Sequence, residues 1–317
     1  MLPRICLSPA RRALGSPATL KPTQNTEVGP TPPGCSHCVA PGRRLFTGLL
    51  AGAVLLPVAA HGQQIPECRR SRAAGLIPAQ QVEAAAQQQY AQLLREAQGQ
   101  NALVASGDGQ MQRLRYIAAR MVPFAPACNE RARQWRWEVN LLDGKQINAF
   151  CMPGGKIAFY TGILQQLQLN DDEVAMIMGH EIAHALLEHA RERMAKSGGT
   201  EFLLRGAAAI FGLGGLGDLA AQGATQYLSL RFGRQDELEA DSLGLLLAAR
   251  AGYNPGAGVT LWQKMARAKG GKAPPEWLST HPAGETRIKD IQSKLPAVQP
   301  LFAQAAKPDR RFNAPPA

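Results

Sequence analysis

The sequence predicts an α+β fold, mostly helical, in which a small β-sheet packs beside a helix carrying two histidines and a glutamate. Three observations carry that prediction. Val174, Ile177, Met178, Ile182 and Leu186 recur at three- and four-residue spacing around His180 and His184, the period of a helix with a buried face. Trp135, Trp137, Val139 and Leu141 alternate with Arg136, Glu138 and Asn140, the period of a half-buried strand. Asp143-Gly144 then reads as a tight hairpin turn into a strand at about residues 147–151, and Pro153-Gly154-Gly155 as a second turn into a strand at about 156–160.

Ala79 to Ala97 reads as an Ala/Gln-rich helix and Met111 to Met121 as another, both packing around the sheet. The helix after the sheet opens with Asn170 as N-cap, Glu173 three residues on, and an acidic first turn of Asp171, Asp172 and Glu173, as the helix dipole favours. Gly198 to Ala221 is apolar but interrupted by Arg205 and Asp218, which argues against a membrane span and for a helical segment packed on the central helix. Arg234 opens a further helix through the apolar stretch Leu243 to Ala249. The Pro-containing tail at 296–317 is expected to be poorly ordered. Residues 63–317 leave 255 positions, enough for one sizeable core, and the domain is placed at 63–295.

His180-Glu181-Ile182-Ala183-His184 is the motif that carries chemistry. Composition alone predicts only about 0.005 occurrences of such a pattern in a chain of this length. The spacing sets two imidazoles on one helix face with a carboxylate beside them, the arrangement of a hydrolytic zinc site. Such a site takes three protein ligands and keeps a fourth position for water. Leu187 and Ala190 stand where a metzincin has Gly and His, which excludes that class. In Glu237-Leu238-Glu239-Ala240-Asp241, Glu237 and Asp241 share a helix face and Glu239 is rotated away. Glu237 is therefore the third-ligand candidate, and Asp241 is placed to accept the second ring N–H of a ligand histidine. His189, five residues past His184, points elsewhere and reads as a surface or packing residue. Tyr160, His281 and Arg287 are candidate donors to an oxyanion. Pro282 restricts His281 to extended backbone, so its imidazole has three roles open to it: filling the fourth position, donating to the tetrahedral intermediate, or capping or packing beneath the final helix.

Gly179 to Ala185, the Glu237 to Asp241 run, Asn148-Ala149-Phe150-Cys151-Met152-Pro153-Gly154-Gly155 and Ser279-Thr280-His281-Pro282 resemble the four signature blocks of family forty-eight of the metallopeptidases. This is the zinc metallopeptidase family of HtpX and the CAAX prenyl proteases. The chain is most similar to its soluble periplasmic branch, that of LoiP and BepA. The resemblance implies a zincin fold of the gluzincin type and one Zn2+ per chain on His180, His184 and Glu237. By the same resemblance Glu181 is the catalytic base, with Asp241 and Arg234 behind the ligands. Gly233 precedes Arg234 where the family often has Ser-Arg, leaving the role of that small residue open. The expected activity is peptide-bond hydrolysis by an exported endopeptidase in quality control of envelope proteins, with unfolded or misassembled polypeptides as partners. The competing class is a non-proteolytic zinc-binding scaffold or chaperone for extended chains, whose mark would be loss of Glu181.

The net charge of +11 falls to +6 once residues 1–62, with six basic residues and one acidic, are set aside. No nucleic-acid motif accompanies it, so the expectation is peripheral contact with anionic membrane surfaces. Arg43-Arg44, the apolar run Leu45 to Ala60 and the small residues before Gly62 form a cleavable export signal, and residues 1–62 are read as extension plus signal peptide of a periplasmic protein. Arg43-Arg44-Leu45-Phe46 resembles a twin-arginine signal over too short a stretch to separate the two export routes. Cys68 follows Ile65-Pro66-Glu67, not a lipobox, and Cys35-Ser36-His37-Cys38 is half of a zinc site. Of Cys68, Cys128 and Cys151, one pair can form a disulfide, with its identity open. N-terminal sequencing of the exported protein is expected to begin between about residues 61 and 65; a retained apolar segment would contradict the cleavable signal.

Overall fold

A computed structural model describes residues 68–196, 232–269, 277–281 and 285–312. The expected boundary near residue 62 and the stretch Gly198 to Ala221 lie outside them. Helices α1 (Ala79–Gly99) and α2 (Gly109–Met121) precede strands β1 (Glu138–Leu142), β2 (Ala149–Met152) and β3 (Lys156–Tyr160). After the sheet come α3 (Thr161–Gln166), α4 (Asp171–Leu186), α5 (His189–Lys196), α6 (Arg234–Arg250), α7 (Ala257–Lys269), α8 (Trp277–Thr280) and α9 (Glu285–Gln304). Among the described residues no helix is long and apolar enough to cross a membrane.

The expected β1–β2 hairpin at Asp143-Gly144 does not form. The strand order is β1-β3-β2, with β1 parallel to β3 and β2 antiparallel to it. Ile157, Ala158 and Phe159 of β3 are fully buried, and because β3 lies between the other two strands the chain from β1 must pass around it. Asp143 and Gly144 are used in that passage: Thr161 Oγ1 donates to Asp143 Oδ1 at 2.8 Å and accepts from Gly144 N at 3.0 Å. The second expected turn is real. Gly154 and Gly155 have φ of 85° and 77°, and a Cβ on Gly155 would lie 2.7 Å from the Trp137 ring. The first strand also starts later than the alternation suggests, because Trp135 and Trp137 pack on each other and the Trp135 indole donates to Glu83 at 3.0 Å.

Helix α4 is buried on every side and is fixed at both ends. Asn170 Oδ1 accepts from Glu173 N and Glu173 Oε2 from Asn170 N, both at 2.9 Å, completing the expected capping box. Arg113, fully buried on α2, donates to Asp171 at 2.7 Å and to the Leu169 carbonyl at 2.7 Å. At the other end Asn129 Nδ2 donates to the Leu186 carbonyl at 3.0 Å. Its neighbour Cys128 is disulfide-bonded to Cys68, and Cys151 remains a buried thiol on β2. Helix α6 crosses α4 at two glycines: a Cβ on Gly179 would lie 2.8 Å from the Gly244 carbonyl, and one on Gly244 would lie 2.8 Å from His180 N.

The tail expected to be poorly ordered from 296 is helical to Gln304 and held to residue 312. Arg120 donates to the Ala306 carbonyl, Tyr116 bonds Asp309, Arg311 pairs with Asp172 at 3.0 Å, and Phe312 N donates to Asp171 at 2.9 Å. These partners come from α2 and from the acidic first turn of α4, which local sequence cannot connect to the tail. Removing one partner of a buried ion pair strands the other. Arg113→Ala is thus expected to cost about 3–5 kcal/mol in denaturant unfolding; a loss under about 1 kcal/mol would show that Asp171 is satisfied without it.

Candidate metal centre

His180 and His184 lie one turn apart on α4, and Glu237 and Asp241 one turn apart on α6. The helices run antiparallel, so His180 meets Asp241 and His184 meets Glu237. His281, just past α8, enters the same space, its N–H donating to the Trp277 carbonyl at 2.8 Å. One donor atom from each of His180, His184, Glu237 and His281 lies within 4.8 Å of the others, and all four residues are buried.

The spacings test whether a cation fits. His180 Nε2 is 3.0 Å from His184 Nε2 and 3.2 Å from His281 Nδ1. Glu237 oxygens lie 3.1 Å from His281 Nδ1 and 3.5 Å from the Nε2 atoms of His180 and His184. For bonds of about 2.0–2.1 Å, a tetrahedral zinc ion sets its ligands about 3.3 Å apart. Three imidazole nitrogens converging at such distances in a buried site are satisfied together by a shared cation. The residues fit zinc. Burial pushes the His184 imidazole well below its ordinary value, so it is held neutral, the state a metal ligand needs. Burial would raise the Glu237 carboxyl, but His281 and His184 outweigh it and hold the group far down as a carboxylate.

Asp241 Oδ1 faces His180 Nδ1 at 3.0 Å, as the four-residue spacing predicts. Burial would raise its carboxyl, but Arg287 holds it below the usual range. Arg287 donates to Asp241 through Nε and Nη2, each at 2.7 Å, and through Nη1 to Glu237 at 2.5 Å. Its guanidinium sits 3.7 Å over the Trp262 ring. The candidate oxyanion donor Arg287 thus meets both carboxylates and also lies 3.3 Å from His180 Nδ1. Arg234, expected behind the ligands, is exposed at the first position of α6. Arg287 reaches the carboxylates from α9, while Gly233 N is bonded by Asp236 at 2.7 Å, so α6 starts with Arg234 outside the site. Tyr160, the other candidate donor, packs in the apolar cluster of Val82 and Tyr90.

Glu181 lies beside the cluster and outside its donor set, with Oε1 accepting from Trp277 Nε1 at 2.7 Å and lying 3.5 Å from His281 Nε2. Trp277 stacks on His281 with ring centroids 4.7 Å apart. Sequence reasoning missed it, although its place four residues before His281 was the available signal. His189 is also closer than its spacing suggests. Glu188 has φ of 60°, so the helix ends and restarts, and the His189 ring turns back to 2.9 Å from His184.

Residues 110–295 match Peptidase family M48. The mitochondrial metalloendopeptidase OMA1 of Arabidopsis thaliana is 39% identical over 153 residues, which cover 48% of this chain and 30% of that protein. The metalloendopeptidase OMA1, mitochondrial, of Homo sapiens is 33% identical over 198 residues, 58% of this chain and 36% of that one. The beta-barrel assembly-enhancing protease of Escherichia coli is 30% identical over 179 residues, 53% of this chain and 36% of that one. The chain thus spans about a third of the length of these relatives.

Proposed function

Because the chain belongs to peptidase family M48, we propose that it is an exported zinc endopeptidase that hydrolyses peptide bonds in unfolded or misassembled envelope proteins. The observation that carries the activity is the convergence of His180, His184 and Glu237 with Glu181 beside them and outside the donor set. Zinc held there would supply a Lewis acid that polarises the scissile carbonyl and lowers the pKa of water. Glu181 accepts the proton of the attacking water and returns it to the leaving amine. Trp277 holds the Glu181 carboxylate in place through its indole N–H. Arg287 and Asp241 keep Glu237 and His180 oriented.

Export is supported by the Arg43-Arg44 and Leu45 to Ala60 pattern and by the Cys68–Cys128 disulfide, which suits an oxidising compartment. The substrate class extends to this chain the role that the name of the Escherichia coli relative suggests, a protease that enhances β-barrel assembly. Strand β2, at one edge of the sheet, is the surface on which an extended chain would add by backbone hydrogen bonding.

Glu181→Gln is expected to keep zinc while cleavage of an unfolded protein falls by about 10²–10⁴-fold, read by metal analysis and a casein digest. Cleavage at the parent rate would overturn the mechanism. Zinc-dependent retention of unfolded chains by a parent protein that does not cut them would favour the scaffold instead.

A specific observation also favours the latent role for His281. Its Nδ1 lies among the ligand atoms, 3.2 Å from His180 Nε2, where a water would otherwise complete the tetrahedron. The same segment donates Trp277 N–H to the Ile147 carbonyl at 3.0 Å, beside the start of the edge strand. His281→Ala is expected to raise basal proteolysis at unchanged zinc content, by the inverse of the fraction of molecules in the open form. Lower activity at equal zinc would assign the residue to the oxyanion instead.

A further inference from the structure

The two ligand histidines of α4 have different outer partners. His180 Nδ1 faces a carboxylate directly, at 3.0 Å from Asp241. His184 Nδ1 faces another imidazole, His189 Nδ1, at 2.9 Å, and His189 Nε2 lies 3.4 Å from Glu239 Oε2. His184 and His189 are buried, whereas the Glu239 side chain is 40% exposed.

With a cation at the donor cluster, the protonation pattern has one solution. His184 Nε2 is the atom in the cluster, 3.0 Å from His180 Nε2, so its lone pair belongs to the metal and its hydrogen sits on Nδ1. That hydrogen points at His189 Nδ1, which must then offer a lone pair. The hydrogen of a neutral His189 is thereby placed on Nε2, the nitrogen that faces the Glu239 carboxylate. We propose that His189 is a positioning residue for zinc, relaying the Glu239 carboxylate to the ligand His184 through a hydrogen-bonded imidazole.

This assigns a task to two residues that the helix spacing sets apart from the ligands. Glu239 lies on the α6 face turned from Glu237 and Asp241, and reaches the metal site only through His189. The left-handed Glu188 makes the arrangement feasible: an unbroken helix would carry position 189 around the axis, away from His184. Outer partners of ligand histidines fix the ring tautomer and orientation, and their loss typically lowers metal affinity about 10–100-fold.

The inference rests on the zinc reading of the donor cluster, so the experiment separates the two. Zinc affinity of the full chain is measured by competition with a chromophoric chelator, for the parent and for His184→Ala, His189→Phe, His189→Asn and Glu239→Gln. Asn presents an acceptor oxygen where His189 has Nδ1; Phe keeps a ring but has no acceptor. The expected result is a loss of about 10–100-fold for His189→Phe, near-parent affinity for His189→Asn, and a smaller loss for Glu239→Gln. Parent-like affinity in His189→Phe, or equal losses in the Phe and Asn variants, would overturn the relay and leave a packing role. Absent zinc binding in the parent, or binding indifferent to His184→Ala, would defeat the zinc reading itself. A second readout needs no variant: ¹⁵N-correlated NMR of the zinc-loaded, histidine-labelled protein should show His189 as the Nε2–H tautomer, and an Nδ1–H His189 would overturn the relay.

Discussion

The close approach of two helices at Gly179 and Gly244 sets the geometry of the site. Neither position has room for a Cβ, since each would fall 2.8 Å from backbone of the other helix. The crossing lies one residue before His180 and three after Asp241, so it also sets how far the ligand side chains must reach. With bulkier residues there the axes would separate, toward the 8–10 Å common for packed helices. His180 would then lose Asp241, and Glu237 would leave the space shared by His184 and His281. Antiparallel direction does the rest, matching the one-turn spacing of two histidines to the one-turn spacing of two carboxylates.

Bringing ionisable groups together in an apolar interior carries a desolvation cost, and the site is arranged so that none is left alone. Glu237 and Asp241 share the Arg287 guanidinium, itself laid over the Trp262 ring. Glu181 has the Trp277 indole. The three converging imidazole nitrogens share the Glu237 carboxylate at 3.1–3.5 Å, a spacing that fits a cation held between them. A hydrophobic core of equal volume would be at least as stable. What this arrangement secures is orientation, and the capping of α4 by Asn170 and Asn129 and the clamp of Arg113 on Asp171 extend that fixing to both ends of the ligand helix.

Segment 277–281 ties this frame to the sheet. Trp277 donates its indole N–H to Glu181, His281 lies against Glu237 at 3.1 Å, and the Trp277 backbone N–H donates to the Ile147 carbonyl just before β2. One short segment therefore meets Glu181, the histidine–carboxylate cluster and the approach to the edge strand. Phe232 stacks on both His184 and His281, and its N–H donates to the Thr280 carbonyl at 3.2 Å, so the entry to α6 is coupled to the same segment.

The sequence by itself determined the helix α4, its capping box, the face shared by His180 and His184, and the pairing of Glu237 with Asp241. Each depends on spacing within a single helix, which the 3.6-residue period fixes before any packing. The three strands were legible for the same reason, through alternation and turn residues. Their order was not: β3 inserts between β1 and β2, and strand pairing is set by contacts between segments that no local pattern encodes. The tail fell to the same limit, since its partners Tyr116, Arg120, Asp171 and Asp172 are far away in the chain. Arg234 and Arg287 show it within the site. Both are basic residues near the ligands in sequence or motif, and only the approach of α9 to α6 decided that Arg287 holds the carboxylates while Arg234 faces solvent. His189 was set apart by helical spacing and brought back by one left-handed residue, Glu188, because a single φ of positive sign redirects everything that follows it.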